Sequence, residues 1–96
     1  MKFGVLIIPS RTTWDEIRTS IETMEAGRWN SLWFTDHFVY SVPRSKATPE
    51  EEQLTIFEGF TTVAVAAGMT KRLKLGHLVL GNPYRNPALV AKMATT

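Results

Sequence analysis

The stretch Ser31–Phe38, which reads SLWFTDHF, decides how the rest of the chain is interpreted. Its first half is a short apolar run rich in aromatic residues, which is typical of a buried β-strand, here predicted over Leu32–Phe34. The run stops at a carboxylate and an imidazole, Asp36 and His37. Because catalytic side chains collect at the carboxyl ends of parallel barrel strands, these two residues are the first candidates for a functional site.

The residues before this strand predict one more strand and one helix. Phe3–Ile8 is continuously apolar and is followed by Pro9, which is typical of a strand that is buried on both faces. Thr13 and Glu16 have the spacing of a capping box, so a helix is predicted to begin there. Its apolar residues recur every three or four positions, and Gly27 is predicted to end it in a left-handed conformation.

The residues after the strand predict a long loop and a second helix. Val39–Gln53 has no regular pattern, and a loop of that length in a compact domain is often functional. Its acidic triplet, Glu50–Glu52, is expected near the start of the next helix, where carboxylates interact favourably with the helix dipole. Apolar residues at helical spacing predict this helix from Ile56 onward, and Gly68 is predicted to end it.

A third strand and a third helix complete the pattern. Leu73–Leu80 predicts the strand, and Gly81–Arg85 predicts a tight loop. Arg85 is expected to cap and position this loop, and contact with an anionic group is the alternative. Asn86 and Pro87 match an N-cap followed by a first-turn proline. The helix that they begin is still in progress at Thr96, so the sequence is expected to represent an interrupted domain.

The alternation of strand and helix predicts an α/β fold with right-handed βαβ units and a parallel sheet. Two architectures have this order, namely part of a (β/α)8 TIM barrel and a small doubly wound sheet. No glycine-rich dinucleotide motif and no phosphate loop follows any of the strands. We therefore favour the barrel, with residues 1–96 as a single partial domain that contains its first three βα units.

Composition argues against several classes of protein. The 96 residues carry a formal net charge of +2, and lysine and arginine are spread along the chain, which does not favour nucleic-acid binding. No apolar run approaches the roughly 18 residues of a membrane span or forms a signal peptide. Cysteine is absent, so a reducing compartment is permitted and a cytoplasmic protein is expected. The histidines and glutamates lack metal-ligand spacing, so no metal site is expected.

Two stretches together resemble a known family. Residues 30–38, NSLWFTDHF, and residues 73–94, which contain LKLGHLVL and NPYRNPALVAKMA, resemble the bacterial luciferase-like monooxygenases. Relatives of that family include reductases and dehydrogenases that use the deazaflavin coenzyme F-420. The resemblance implies a TIM barrel flavoprotein or deazaflavin oxidoreductase that transfers a hydride to or from FMN or F-420, and the Asp-His pair favours F-420.

The resemblance also implies roles for individual residues. His37 is expected to be the catalytic acid or base near the reactive carbon of the coenzyme ring. Asp36, Leu78, Val79 and Gly81 are expected to bind the coenzyme, with Asp36 at the polar edge of the ring system. The peptide bond between Leu78 and Val79 is expected to be cis and to support the central ring.

His77 departs from the family pattern, in which a small hydroxylated residue is common at this position. We interpret its imidazole as that of a strand residue that faces a helix or the barrel interior with its nitrogens hydrogen-bonded, rather than as a catalytic group. The tryptophans are interpreted in the same way, as core and sheet-packing residues.

A second function is compatible with the same residues. A partial barrel exposes two sheet edges and the inner face of its strands, which predicts a non-catalytic fragment that self-associates. In the intact barrel the expected partners are a flavin-type coenzyme and a small substrate, whereas the isolated chain is expected to be inactive. For this chain they also include further copies of itself, as a homo-oligomer, or the rest of the barrel.

Overall fold

The computed structural model describes residues 1–39 and 55–96. Its elements are β1 (Gly4–Ile7), β2 (Ser10–Thr12), α1 (Trp14–Ala26), β3 (Ser31–Phe34), β4 (Thr55–Ile56), α2 (Gly59–Met69), β5 (Lys74–His77), a 3₁₀ helix (Asn82–Tyr84) and α3 (Pro87–Ala94). Strands β1, β3 and β5 form a three-stranded sheet in that order, and both pairs are parallel. The α/β prediction is therefore confirmed. Within the described ranges, no helix combines the length and the hydropathy that crossing a bilayer requires.

One face of the sheet carries the core. Leu32 and Phe34 of β3 are fully buried. The residues in register with them on β1 and β5 are partly buried. Ile17 and Ile21 of α1 and Ala66 of α2 pack against them, which completes the cluster together with Leu73. Both helices therefore cover the same face, as right-handed βαβ connections require.

The opposite face of the sheet is open in the part of the chain that the structure describes. Leu6 and Trp33, which are paired in the register, are 43% and 38% exposed, and Ile8 is exposed as well. The prediction that the first strand is buried on both faces is therefore wrong, because the helices cover one face alone. The Trp33 indole lies across this open face, in space that side chains at Gly4 and Gly76 would fill.

Helix α1 begins as predicted and ends differently. The Thr13 hydroxyl accepts a hydrogen bond from the Glu16 amide, and the Glu16 carboxylate accepts one from the Thr13 amide, so the capping box is confirmed. Gly27 has a φ of −83°, so the predicted left-handed C-cap is wrong. Instead, the Arg72 guanidinium donates hydrogen bonds to main-chain carbonyls at and just beyond the end of the helix, including those of Met24 and Gly27. A distant cation thus caps the helix.

The second helix starts later than predicted. Thr55–Ile56 forms β4, which pairs antiparallel with β2, so the prediction that Ile56 is helical is wrong. The helix begins at Gly59 because both carboxylate oxygens of Glu58 accept hydrogen bonds from main-chain amides of its first turn. The helix also continues through Gly68 to Met69 rather than ending there. The predicted role of Glu50–Glu52 lies outside the described residues.

The third strand is shorter than predicted. Strand β5 ends at His77 rather than Leu80, because its partner β3 ends at Phe34, the residue in register with His77. The Leu78-Val79 peptide bond that follows is cis, which confirms the prediction for that bond. Helix α3 begins as predicted, with the Asn86 side chain accepting a hydrogen bond from the Ala88 amide at 2.9 Å.

Helix α2 approaches the end of β3 closely at a glycine. A Cβ on Gly59 would lie 2.8 Å from Oδ1 of Asp36 and 2.9 Å from the main-chain carbonyl oxygen of Thr35. Gly68, in the same helix, has no neighbouring atom within 4 Å of the same position. The absence of a side chain at Gly59 is thus what allows the helix start to reach Asp36.

We therefore expect Gly59→Ala and Gly68→Ala to have opposite effects on the free energy of unfolding. Gly59→Ala should lower it by about 1–3 kcal/mol, because backbone and a buried carboxylate must move. Gly68→Ala should raise it by up to about 1 kcal/mol, because alanine has the higher helix propensity. Urea denaturation followed by circular dichroism measures both, and equal effects of the two substitutions would contradict the close approach.

Candidate functional site

The carboxyl ends of β3 and β5 lie side by side. Phe34 is in register with His77, and the Leu78 amide donates a hydrogen bond of 2.9 Å to the Phe34 carbonyl. The chain segments that follow the two strands therefore leave the same edge of the sheet. This geometry brings together the stretches that contain all five predicted site residues, which are Asp36, His37, Leu78, Val79 and Gly81.

Asp36 is at the centre of this edge. Its side chain has no exposed surface, and its two oxygens accept hydrogen bonds from Nη1 and Nη2 of Arg85 at 2.7 and 2.8 Å. The Gly81 amide donates a third bond, of 2.9 Å. Asp36 was expected to bind the polar edge of the coenzyme, but its carboxylate is occupied by two groups of its own chain. A bidentate arginine and a main-chain amide hold the segments after β3 and β5 together.

Arg85 has further partners that the sequence did not indicate. Its guanidinium also contacts the carboxylate of Glu58, the N-cap of α2. It lies 5.8 Å from the ring centre of Phe38 and 5.6 Å from that of Phe60, within the range of cation–π contacts. The predicted role of Arg85 in positioning its loop agrees with these contacts. Its partners were missed because no local pattern connects residues so far apart in the chain.

Asp36 and Arg85 each stabilise the charged form of the other. Burial by itself raises the pKa of Asp36, but the hydrogen bonds from Arg85 and Gly81 and the charge of Arg85 outweigh it, so that the pKa lies below its usual value. The hydrogen bond to Asp36 raises the pKa of Arg85, although burial opposes this. Both groups therefore stay ionised around neutral pH.

His77 lies beside the pair and faces the helices. Its ring packs against Phe60 with 5.2 Å between ring centres. Both ring nitrogens are buried, and neither has a hydrogen-bond partner among the described residues. Burial lowers the pKa of His77, and the negative charge of Asp36 opposes this only in part. The lowered pKa favours the neutral imidazole. The ring packs toward the helices, as the sequence predicts, but no described residue bonds its nitrogens, so the prediction that they are hydrogen-bonded is wrong.

The remaining predicted residues differ in their access to solvent. His37 is exposed, and Leu78 and Val79 are 53% and 72% exposed. Gly81 is partly buried, with the Tyr84 ring in the space that a Cβ would occupy. His37, Leu78 and Val79 are thus available to a ligand, whereas Asp36 and Gly81 hold the framework beneath them.

An apolar groove of about 330 Å³ lies beside Glu58, between the start of α1 and α2. It is lined by Trp14, Phe57, Glu58, Thr61, Thr62 and Val65. None of the predicted site residues contributes to its wall, so the groove is separate from the site at the strand ends.

The sequence matches a family model described as luciferase-like monooxygenase over residues 1–96. The chain belongs to this family. Membership confirms the resemblance, and together with the parallel sheet it confirms that the fold is part of a TIM barrel. The family generally binds flavin or F-420 coenzymes.

A curated relative agrees with this assignment. The chain is 38% identical over 77 residues to a phthiodiolone/phenolphthiodiolone dimycocerosates ketoreductase of Mycobacterium kansasii. The match covers 70% of this chain and 21% of the relative, so the chain spans about a fifth of the length of that protein. No solved structure matches the chain significantly. The family model and the relative are both named for enzymes of oxidoreductase type.

We expect His77 to make the stability of the chain depend on pH. Its pKa in the folded chain is below the value of about 6.5 that it has when unfolded, so the unfolded chain binds the proton more readily. Stability is therefore full above about pH 6.5 and falls as the pH decreases, by at most about 1.4 kcal/mol per pH unit.

Urea denaturation at pH 7.5 and pH 5.5 measures this loss in the wild-type chain and in His77→Leu, where it should be smaller. The control is Leu75→Ala, which perturbs the same strand without removing a titratable group and should retain the loss. An unchanged pH dependence in His77→Leu would show that the histidine is not its source.

Proposed function

We propose that the chain is the part of a cytoplasmic luciferase-like oxidoreductase that carries its acid–base residue, and that residues 1–96 form one partial barrel domain. The supporting observation is that, at the strand ends, the exposed residues differ from the buried residues that hold them in place. His37, Leu78 and Val79 are exposed at one edge of the sheet, while the buried Asp36–Arg85 pair fixes the segments that carry them. Exposed chemical groups on a rigid support are what a catalytic site requires.

The exposed residues fit a flavin or deazaflavin ring. Leu78 and Val79 offer an apolar surface on which the face of a planar ring system can lie. Gly81 would contribute indirectly, through the hydrogen bond that its amide donates to Asp36. Asp36 itself has no free oxygen for the ring in this geometry, so we assign it to the support of the site.

When bound, the coenzyme supplies or accepts the hydride. His37 supplies or takes up the proton that balances it, since an imidazole suits proton transfer near neutral pH. The name of the mycobacterial relative favours reduction of a ketone, in which a hydride adds to the carbonyl carbon and a proton to its oxygen. Between the two coenzymes we favour F-420 over FMN, because the Asp-His pair resembles that of the deazaflavin dehydrogenases.

Titration of the isotope-labelled chain with F-420 and with FMN tests this proposal by nuclear magnetic resonance. We expect chemical-shift changes to concentrate at His37, Leu78 and Val79, with larger changes for F-420. His37→Ala should reduce the changes at its neighbours, whereas the control His77→Leu should leave them in place. Changes confined to the groove beside Trp14, or none at the highest coenzyme concentration, would contradict the proposal.

The open face of the sheet supports a second candidate, a non-catalytic chain that self-associates. Leu6 and Trp33 are exposed there, and β1 and β5 each pair with β3 alone among the described residues. Apolar surface and unpaired strand edges both favour association. In this case the partner is a second copy of the chain.

Size-exclusion chromatography with light scattering tests this candidate over a range of concentrations. We expect the wild-type chain to form dimers or larger assemblies as the concentration rises. Leu6→Lys, on the open face, should shift the population toward monomer, whereas the control Leu89→Lys, on α3, should not. A wild-type chain that stays monomeric throughout would exclude self-association.

A further inference from the structure

The main chain around His37 is held on both sides of that residue. Its predecessor, Asp36, is bound by Arg85 through two charge-assisted hydrogen bonds of 2.7 and 2.8 Å. Its successor, Phe38, contacts the same guanidinium and stacks on the ring of Tyr84 with 4.0 Å between ring centres. Two consecutive residues, Tyr84 and Arg85, therefore hold the two neighbours of His37 and leave its imidazole exposed.

Arg85 is itself held by the start of helix α2. Its side chain is 9% exposed, and its guanidinium contacts the Glu58 carboxylate and the face of Phe60. Glu58 is the N-cap of α2, and Phe60 lies in the first turn of that helix. The contacts thus run from a helix that packs in the core, through Arg85, to the segment that carries His37.

The guanidinium suits this position in ways that a lysine ammonium does not. Its planar fork binds both oxygens of Asp36 at once, and its flat face can lie against aromatic rings. A lysine would supply the charge at one point and would lose the second hydrogen bond. The orientation of the segment therefore depends on the shape of Arg85 as well as on its charge.

We propose that Arg85 is a positioning residue for His37. It fixes the main chain on both sides of the histidine through Asp36 and Phe38, and so determines where the exposed imidazole points. The catalytic meaning of this positioning rests on the proposed function, in which His37 transfers the proton. The positioning itself is a property of this chain and can be measured without a reaction.

The test uses the labelled 96-residue chain and two local variants. Arg85→Lys keeps the charge but removes the bidentate contact, and Phe38→Leu removes the aromatic contact without leaving a buried charge unpaired. The control is Arg18→Met, which removes an arginine that forms exposed ion pairs on α1. The heteronuclear Overhauser effect of the His37 amide reports its order, and methyl signals of Ile21 and Leu32 report the core.

We expect both Arg85→Lys and Phe38→Leu to lower the order of the His37 amide while the core signals stay unchanged, and Arg18→Met to change neither. In Arg85→Lys we also expect the F-420-induced shift at His37 to shrink at least threefold, while the shifts at Val79 persist. If Arg85→Lys does not fold, Phe38→Leu decides. Wild-type order at His37 in the folded variants would overturn the proposal.

The two hypotheses fail in different ways. A wild-type chain whose His37 signal does not respond to F-420 or FMN would contradict the proposed function, but the order of His37 in the variants would still test the positioning. A normal coenzyme response together with wild-type order at His37 in both variants would leave the proposed function intact and overturn the role of Arg85.

Discussion

The buried ion pair between Arg85 and Asp36 is the interaction on which the rest of the candidate site depends. It joins residues 49 positions apart and links the segment after β3 to the turn after β5. A buried charge that loses its partner typically costs about 3–5 kcal/mol, so each member constrains the other strongly. The Glu58 contact extends the constraint to the start of α2, and Gly59 makes room for that approach. Strand ends and helix start are thereby fixed relative to one another.

The same interaction explains how neighbouring residues acquire different roles. Asp36 and His37 are adjacent in sequence, yet one side chain is fully buried and the other is exposed. The two histidines are divided in a similar way, because His77 is neutral and packed against Phe60 whereas His37 faces solvent. Of the two histidine side chains, only that of His37 is accessible for the proton transfer that we propose. In the function that we propose, the reactive group and the group that supports it are thus separate side chains.

The one-sided sheet is consistent with a partial barrel. In a TIM barrel the helices surround the strands, so the face of each strand opposite the helices points to the interior. The uncovered face with Leu6 and Trp33 corresponds to that interior surface. Because Gly4 and Gly76 have no side chains, the Trp33 indole can lie across the strands. The indole covers part of that surface. Family membership and the position of the helices therefore both indicate that the open face is the interior surface of a barrel.

The sequence by itself determined the order of the three parallel strands and the three helices, the capping box at Thr13, the N-cap at Asn86 and the choice of Asp36 and His37 as the residues that follow β3, but it did not predict the short strands β2 and β4. These features depend on hydrophobic periodicity or on contacts between residues a few positions apart, so a local pattern carries them. Only the tertiary structure decided that Arg72 caps α1, that Ile56 belongs to a strand and that Arg85 binds Asp36. Each of these depends on groups more than 40 residues apart, which meet only because the parallel sheet brings its strand ends together.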